Sequence, residues 1–91
     1  MNKNQIAISS LAMDLKRAAL GYHRGSITMA HRFLQEAIKR KNEIDPESVK
    51  PYVANLLKKL DELVKEKDTA RIAEDALMYS TLFQNASLSI A

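Results

Sequence analysis

Apolar residues recur every three or four positions along most of this chain, and this spacing constrains its fold more than any other feature. The clearest stretch is the set Val49, Val53, Leu56, Leu60 and Leu63, which steps by four, three, four and three residues. That period places the apolar side chains on one side of an α-helix. Only two glycines and two prolines interrupt the chain, and no segment alternates with a period of two residues, so strands have no support.

Turn and capping residues divide the chain into four helices of similar length. The predicted helices span residues 4–20, 26–42, 48–66 and 69–86, and residues 87–91 are expected to form a frayed tail. Gly21 is suited to a left-handed C-terminal cap. Ser26, Ser48 and Asp68 are suited to N-caps, and Pro51 fits only the first turn of the third helix. Because short connections join antiparallel neighbours, we predict an all-α protein, an antiparallel up-down-up-down four-helix bundle.

Size and composition narrow the class of protein further. A chain of 91 residues has room for one domain, residues 1–91, and buries only about 60 to 65 per cent of its unfolded surface. Efficient helix packing or association with another chain must therefore supply stability. Cysteine is absent, which excludes disulfides and thiolate sites, and the first helix is too polar for a signal peptide or a membrane span. We expect a cytoplasmic protein that does not bind membranes.

The first and fourth helices each carry a second apolar stripe, outside the stripe that serves the core. On the first helix Ile6, Met13 and Leu20 recur every seven residues. On the fourth helix Met78 and Leu82 lie among polar residues. Since the first and last helices of such a bundle are neighbours, we predict that these five side chains form one apolar face that binds a protein partner, most simply a second copy. The alternative is that they are the scattered exposed apolar residues that many monomers have.

Charge is distributed unevenly along the chain and supports a second hypothesis. Residues 1–42 carry eight basic and two acidic side chains, or +6, whereas the rest carries six basic and nine acidic, or −3. A basic half is typical of nucleic-acid binding, and the candidate contacts are Arg17, His23, Arg24, His31, Arg32, Lys39 and Arg40. The segment from Tyr22 to Ser26 is a candidate anion site at the start of the second helix. The alternative is that the two halves of the bundle simply attract each other.

Two arginines precede the two histidines at similar distances. Six residues separate Arg24 from His31, and five separate Arg17 from His23. This spacing resembles the motif of HEPN ribonuclease domains, small helical bundles that cleave RNA. The resemblance implies His31 as general acid and base and Arg24 as the phosphate clamp. The chain departs from that pattern because Gly25 follows Arg24, because the motif belongs to the second helix, and because the chain is short.

Other enzymatic chemistry has little support. The two histidines are eight residues apart, and neither has an acidic residue three or four positions away, so a helical metal site is not expected. Adjacent acidic pairs such as Glu74 and Asp75 point in different directions on a helix. No glycine-rich phosphate loop is present. We therefore expect a non-enzymatic protein that needs no cofactor or metal and binds no small-molecule substrate.

Overall fold

The computed structural model describes residues 2–89, which form four α-helices and one short 3-10 turn without any strand. The elements are α1 (Lys3–Arg24), α2 (Ile27–Asn42), the turn Pro46–Ser48, α3 (Pro51–Leu63) and α4 (Thr69–Ser89). Neighbouring helices run in opposite directions: the Gln5 side chain at the start of α1, for example, hydrogen-bonds the Ser87 carbonyl near the end of α4. The predicted all-α four-helix bundle is confirmed.

Helix α1 is the centre of the packing. It lies closely against α2 on one side and α4 on the other, while α3 makes fewer close backbone contacts. It also supplies the largest share of the buried apolar side chains, namely Ile8, Leu11, Ala12, Leu15, Ala18, Ala19 and Tyr22. On α3 the predicted stripe residues Val53, Leu60 and Leu63 are buried in this core together with Leu57, whereas the predicted Leu56 is only partly buried. Helix α1 thus positions α2 and α4 directly, and α3 packs mainly against α4.

Small residues allow α1 to approach both neighbours. Against α4, the buried Ser80 hydroxyl donates a hydrogen bond of 3.0 Å to the Ala12 carbonyl. Against α2, Gly21 packs on Ala30, and a Cβ atom added to Gly21 would lie 2.9 Å from the Ala30 Cβ. That distance is shorter than van der Waals contact allows, so Gly21 is required for the α1–α2 approach.

This packing role corrects the predicted end of the first helix. Helix α1 continues through the buried Tyr22 to Arg24, and Gly25 provides the left-handed cap with φ of 80°. The prediction of a cap at Gly21 was therefore wrong. Both glycines suit a cap by residue type, and only the contact with Ala30 distinguishes them.

The start of α3 also differs from the prediction. Ser48 lies in the 3-10 turn, and α3 begins at Pro51, three residues later. The reason is that proline disfavours helical geometry in the residue before it, and Lys50 is extended with ψ of 149°. Helix α3 ends at Leu63, three residues before the predicted end.

The remaining helix ends agree more closely with the sequence. Ser26 precedes α2 as predicted, although its side chain makes no capping hydrogen bond. The Asp68 carboxylate accepts a hydrogen bond of 3.0 Å from the Ala70 N–H, as an N-cap does. Residues 87–89 continue α4 instead of forming the expected frayed tail, and Ser87 is buried. Residues 90 and 91 of that tail lie outside the described residues.

The Gly21 contact predicts the direction in which a substitution changes the free energy of unfolding. Gly21→Ala should lower the free energy of unfolding by about 1 kcal/mol, because overpacking outweighs the gain of about 1 kcal/mol in helix propensity. In an Ala30→Gly background the same change should cost less, since the methyl group at 2.9 Å is gone while the Cα atom of residue 30, at 3.1 Å, remains. Urea denaturation of the four proteins measures both values. If Gly21→Ala has the same effect in both backgrounds, the contact does not limit the helix spacing.

Candidate interaction face

The five side chains predicted to bind a partner are all exposed. Ile6, Met13 and Leu20 on α1, and Met78 and Leu82 on α4, each expose between 39 and 54 per cent of their surface. On α1 the three residues lie on the side opposite the buried residues, between the sides that contact α2 and α4. The second apolar stripe of α1 is therefore a surface feature of the folded protein.

A groove between α1 and α4 borders this stripe. Its volume is about 590 Å³, and its lining is mainly apolar, with Leu20 from α1 facing Ala70, Ala73 and Leu77 from α4. Three helical turns beyond Leu77, on the same side of α4, Leu88 exposes 73 per cent of its surface. We call Ile6, Met13, Leu20, Leu77 and Leu88 the association face.

Met78 and Leu82 lie on a different side of α4. Leu82 lines a second groove, of about 390 Å³, together with Tyr52 and Leu56 of α3. Met78 is one turn before Leu82 and points to the same side. The structure thus exposes all five predicted residues but does not bring Leu82 into the groove that contains Leu20.

Leu77 and Leu88 were not among the residues predicted from the sequence. The signal that identifies them is the spacing Leu77, Thr81, Gln84 and Leu88, which steps by four, three and four residues. Two polar residues interrupt this stripe, so it is weaker than the core stripe of the same helix.

The charged side chains around the association face are mostly basic. Lys3, Lys16 and Arg24 are exposed along α1, and the only carboxylate of that helix, Asp14, is buried. Helix α4 carries no charged residue from Ala76 onward. Glu74 is the carboxylate that lines the α1–α4 groove.

Asp14 is enclosed on the α2 side of α1, between the association face and the core. The Arg17 guanidinium lies 3.8 Å from one carboxylate oxygen, and the Arg40 guanidinium lies 3.7 Å from the other. These distances fit ion pairs and are too long for hydrogen bonds. Burial raises the pKa of Asp14, and nearby Glu36 acts in the same direction, while the two arginines act against it. Arg17 also lies over the Phe33 ring, 5.7 Å from its centre.

Among the candidate nucleic-acid contacts, His23 lies apart from Arg17 and Arg40. Arg17 and Arg40 flank Asp14, whereas His23 lines the α1–α4 groove on another side of α1. Arg24, Arg32 and Lys39 are exposed and form no ion pair within residues 2–89.

The two halves of unlike charge are joined by one ion pair in the described part of the chain. Lys41 at the end of α2 donates a hydrogen bond of 2.6 Å to Asp61 on α3. The lysine side chain is largely covered, which limits its screening by salt. Within the described residues, attraction between the two halves is thus supported by this one ion pair. Most of the basic side chains of α1 and α2 remain on the surface.

His31 is held by a hydrogen bond to the buried Tyr22. The Tyr22 hydroxyl lies 2.5 Å from His31 Nδ1, and the two rings meet edge to face. Burial raises the pKa of the Tyr22 hydroxyl. Tyr22 therefore remains protonated at neutral pH and can donate to a neutral imidazole. The role of His31 as a ribonuclease acid and base, which the HEPN resemblance implies, stays a prediction.

Neither a cluster suited to a metal ion nor a helix suited to a membrane is present within residues 2–89. No group of three or more His, Asp or Glu side chains in this range is arranged to hold a metal ion. None of the helices in this range combines the length and the apolar character that crossing a membrane requires.

The Asp14 environment predicts an unusual pH dependence. Because its folded-state pKa is raised above the ordinary value of 3.8, the contribution of Asp14 to stability is greatest below that value and is lost as pH rises through the folded-state pKa. Asp14→Asn should therefore become more stable relative to the parent as pH increases from about 3 to 7. Urea denaturation across this range measures the difference. If Asp14→Asn instead becomes less stable relative to the parent toward neutral pH, attraction to the arginines outweighs burial.

The Tyr22 contact predicts an energetic coupling with His31. Tyr22→Phe should lower the free energy of unfolding by about 1 kcal/mol, the usual net value of such a hydrogen bond. The change should have much less effect in a His31→Ala background, and a full effect in a matched His23→Ala background. A double-mutant cycle by thermal denaturation measures this. Equal losses in both backgrounds would show that the bond contributes nothing.

Comparisons of the chain with protein-family models, with curated proteins and with solved structures find no match. The described side chains form an exposed apolar face with a groove, bordered mainly by basic residues.

Proposed function

We propose that this protein is a non-enzymatic cytoplasmic protein that works by binding another protein chain through the association face. The observation that supports the proposal is the exposure of five large apolar side chains along α1 and one side of α4. On a domain of this size, removing such side chains from water contributes on the order of 1 kcal/mol or more for each. Association is therefore the use that the exposed surface favours.

The spacing of the face suits a partner helix. Ile6, Met13 and Leu20 recur every seven residues, which is the period at which one helix packs along another. The groove that contains Leu20 and Leu77 offers a concave site beside this row. A helix laid into such a groove would bury its own apolar side chains against two helices at once.

A second function, nucleic-acid binding, has narrower support. Arg24, Arg32 and Lys39 are exposed and carry no ion pair within residues 2–89. Arg17 and Arg40 are already close to Asp14, so a nucleic acid would compete with that carboxylate. Binding of this kind weakens steeply with salt. Loss of binding at raised salt, and after replacement of Arg24 and Arg32 together, would support this second function.

Site-specific photo-crosslinking in cells of the source organism tests protein association. A benzophenone amino acid placed at Met13, Leu20 or Leu77 should give a discrete protein adduct, whereas the same group at Val64 should not. Val64 is the matched control because it exposes 48 per cent of its surface, as Met13 does, but lies after α3. An adduct of twice the chain mass identifies a second copy, and another mass identifies a different protein.

A charged side chain placed in the association face should strongly reduce formation of the crosslinked adduct. Met13→Glu should reduce crosslinking from Leu77 about tenfold or more, since burying an unpaired carboxylate costs at least 1.4 kcal/mol. Val64→Glu should leave it unchanged. The benzophenone group at Leu82 tests whether the second groove takes part. Adducts that form equally from Met13 and Val64, or from neither, would contradict the proposal.

A further inference from the structure

We infer that the occupant of the association face is an acidic amphipathic helix of a different protein. This inference rests on the proposed function, and adds to it the chemistry of the partner. Its basis is the combination of the apolar row with the sign of the charges around it.

The length of the face defines the length of the partner segment. Ile6 and Leu20 are 14 residues apart on one helix, which corresponds to roughly 21 Å along its axis. Leu77 and Leu88 are 11 residues apart on α4, which corresponds to roughly 16 Å. The Gln5 to Ser87 hydrogen bond keeps the start of α1 and the end of α4 together. A partner helix of about four turns therefore covers the face from one end to the other.

The basic side chains around the association face favour a partner with negative charge. Lys3 precedes Ile6, Lys16 lies between Met13 and Leu20, and Arg24 follows Leu20 by one turn. Within the described residues the opposing charge on this side is Glu74. A helix with leucines on one side and glutamates beside them would bury its leucines and place its carboxylates against these basic side chains.

The same charges disfavour a symmetric pairing of two copies. A two-fold axis on the face would set the same surface of each copy against the other. Lys3, Lys16 and Arg24 of one copy would then meet the same three residues of the second, with one glutamate on each side to offset them. Like charges brought together in this way oppose association.

Three synthetic peptides of about 21 residues distinguish the contribution of charge to binding from that of apolar contact. All carry the same heptad row of leucines, and the flanking positions are glutamate, glutamine or lysine. Fluorescence anisotropy with the full chain should show that the glutamate peptide binds at least tenfold more tightly than the lysine peptide, with the glutamine peptide between them. The preference should shrink as salt rises from about 50 to 300 mM.

Matched charge variants locate the effect on the face. Lys16→Glu should weaken binding of the glutamate peptide and strengthen binding of the lysine peptide. Lys58→Glu makes the same change in net charge on an exposed residue of α3, and should leave the order of the peptides unchanged. Met13→Glu should weaken all three peptides, because it damages the apolar row that they share.

The outcomes distinguish the two proposals. If the three peptides bind equally and Met13→Glu abolishes their binding, the inference of an acidic partner is overturned. Association through the face is then still supported. Absence of saturable binding by any peptide would reject both. Binding of phosphatidylserine vesicles that depends on Met13 and Lys16, without binding of the glutamate peptide, would assign the face to a lipid surface and overturn the inference. A glutamate peptide that binds equally to Lys16→Glu and to Lys58→Glu would also overturn it.

Discussion

The close approach of α1 to its two neighbours determines the rest of this structure. It depends on small residues: Gly21 against Ala30 on the α2 side, and Ala12 against Ser80 on the α4 side. With α2 and α4 drawn in on both sides and α3 covering the core side, one side of α1 is left facing outward. The apolar residues on that outward side are exposed because the helix packing leaves nothing to cover them.

The helical periodicity predicted the fold well because it reports burial directly. The α3 stripe is the example: of its predicted residues, Val53, Leu60 and Leu63 are buried, and Leu56 is partly buried beside the buried Leu57. Capping was predicted less well, since cap preference is a property of one residue and its near neighbours. At Gly21 a tertiary contact decided the role of the residue, and at Ser48 the proline three residues later moved the start of the helix.

Periodicity within single helices predicts which residues of the candidate face are exposed, but not which of them lie together. Each helix reveals which of its residues lie off the core side, and on that basis Met13 and Leu82 were both expected to be exposed, as they are. Which side of α4 turns toward α1 depends on how the helices rotate against each other, and the sequence does not carry this as a pattern. The grooves provide it: Leu77 lies beside Leu20, and Leu82 lies beside Tyr52 and Leu56.

The hydrogen bond between Ser80 and Ala12 has a consequence for recognition. A hydroxyl bonded to one particular carbonyl favours one axial offset of α1 and α4, because a shift by one residue would break this buried hydrogen bond. The spacing between the apolar rows of the two helices is then set before any partner arrives. A partner would then meet two rows that are already aligned, and less of its binding free energy would be spent on ordering this protein.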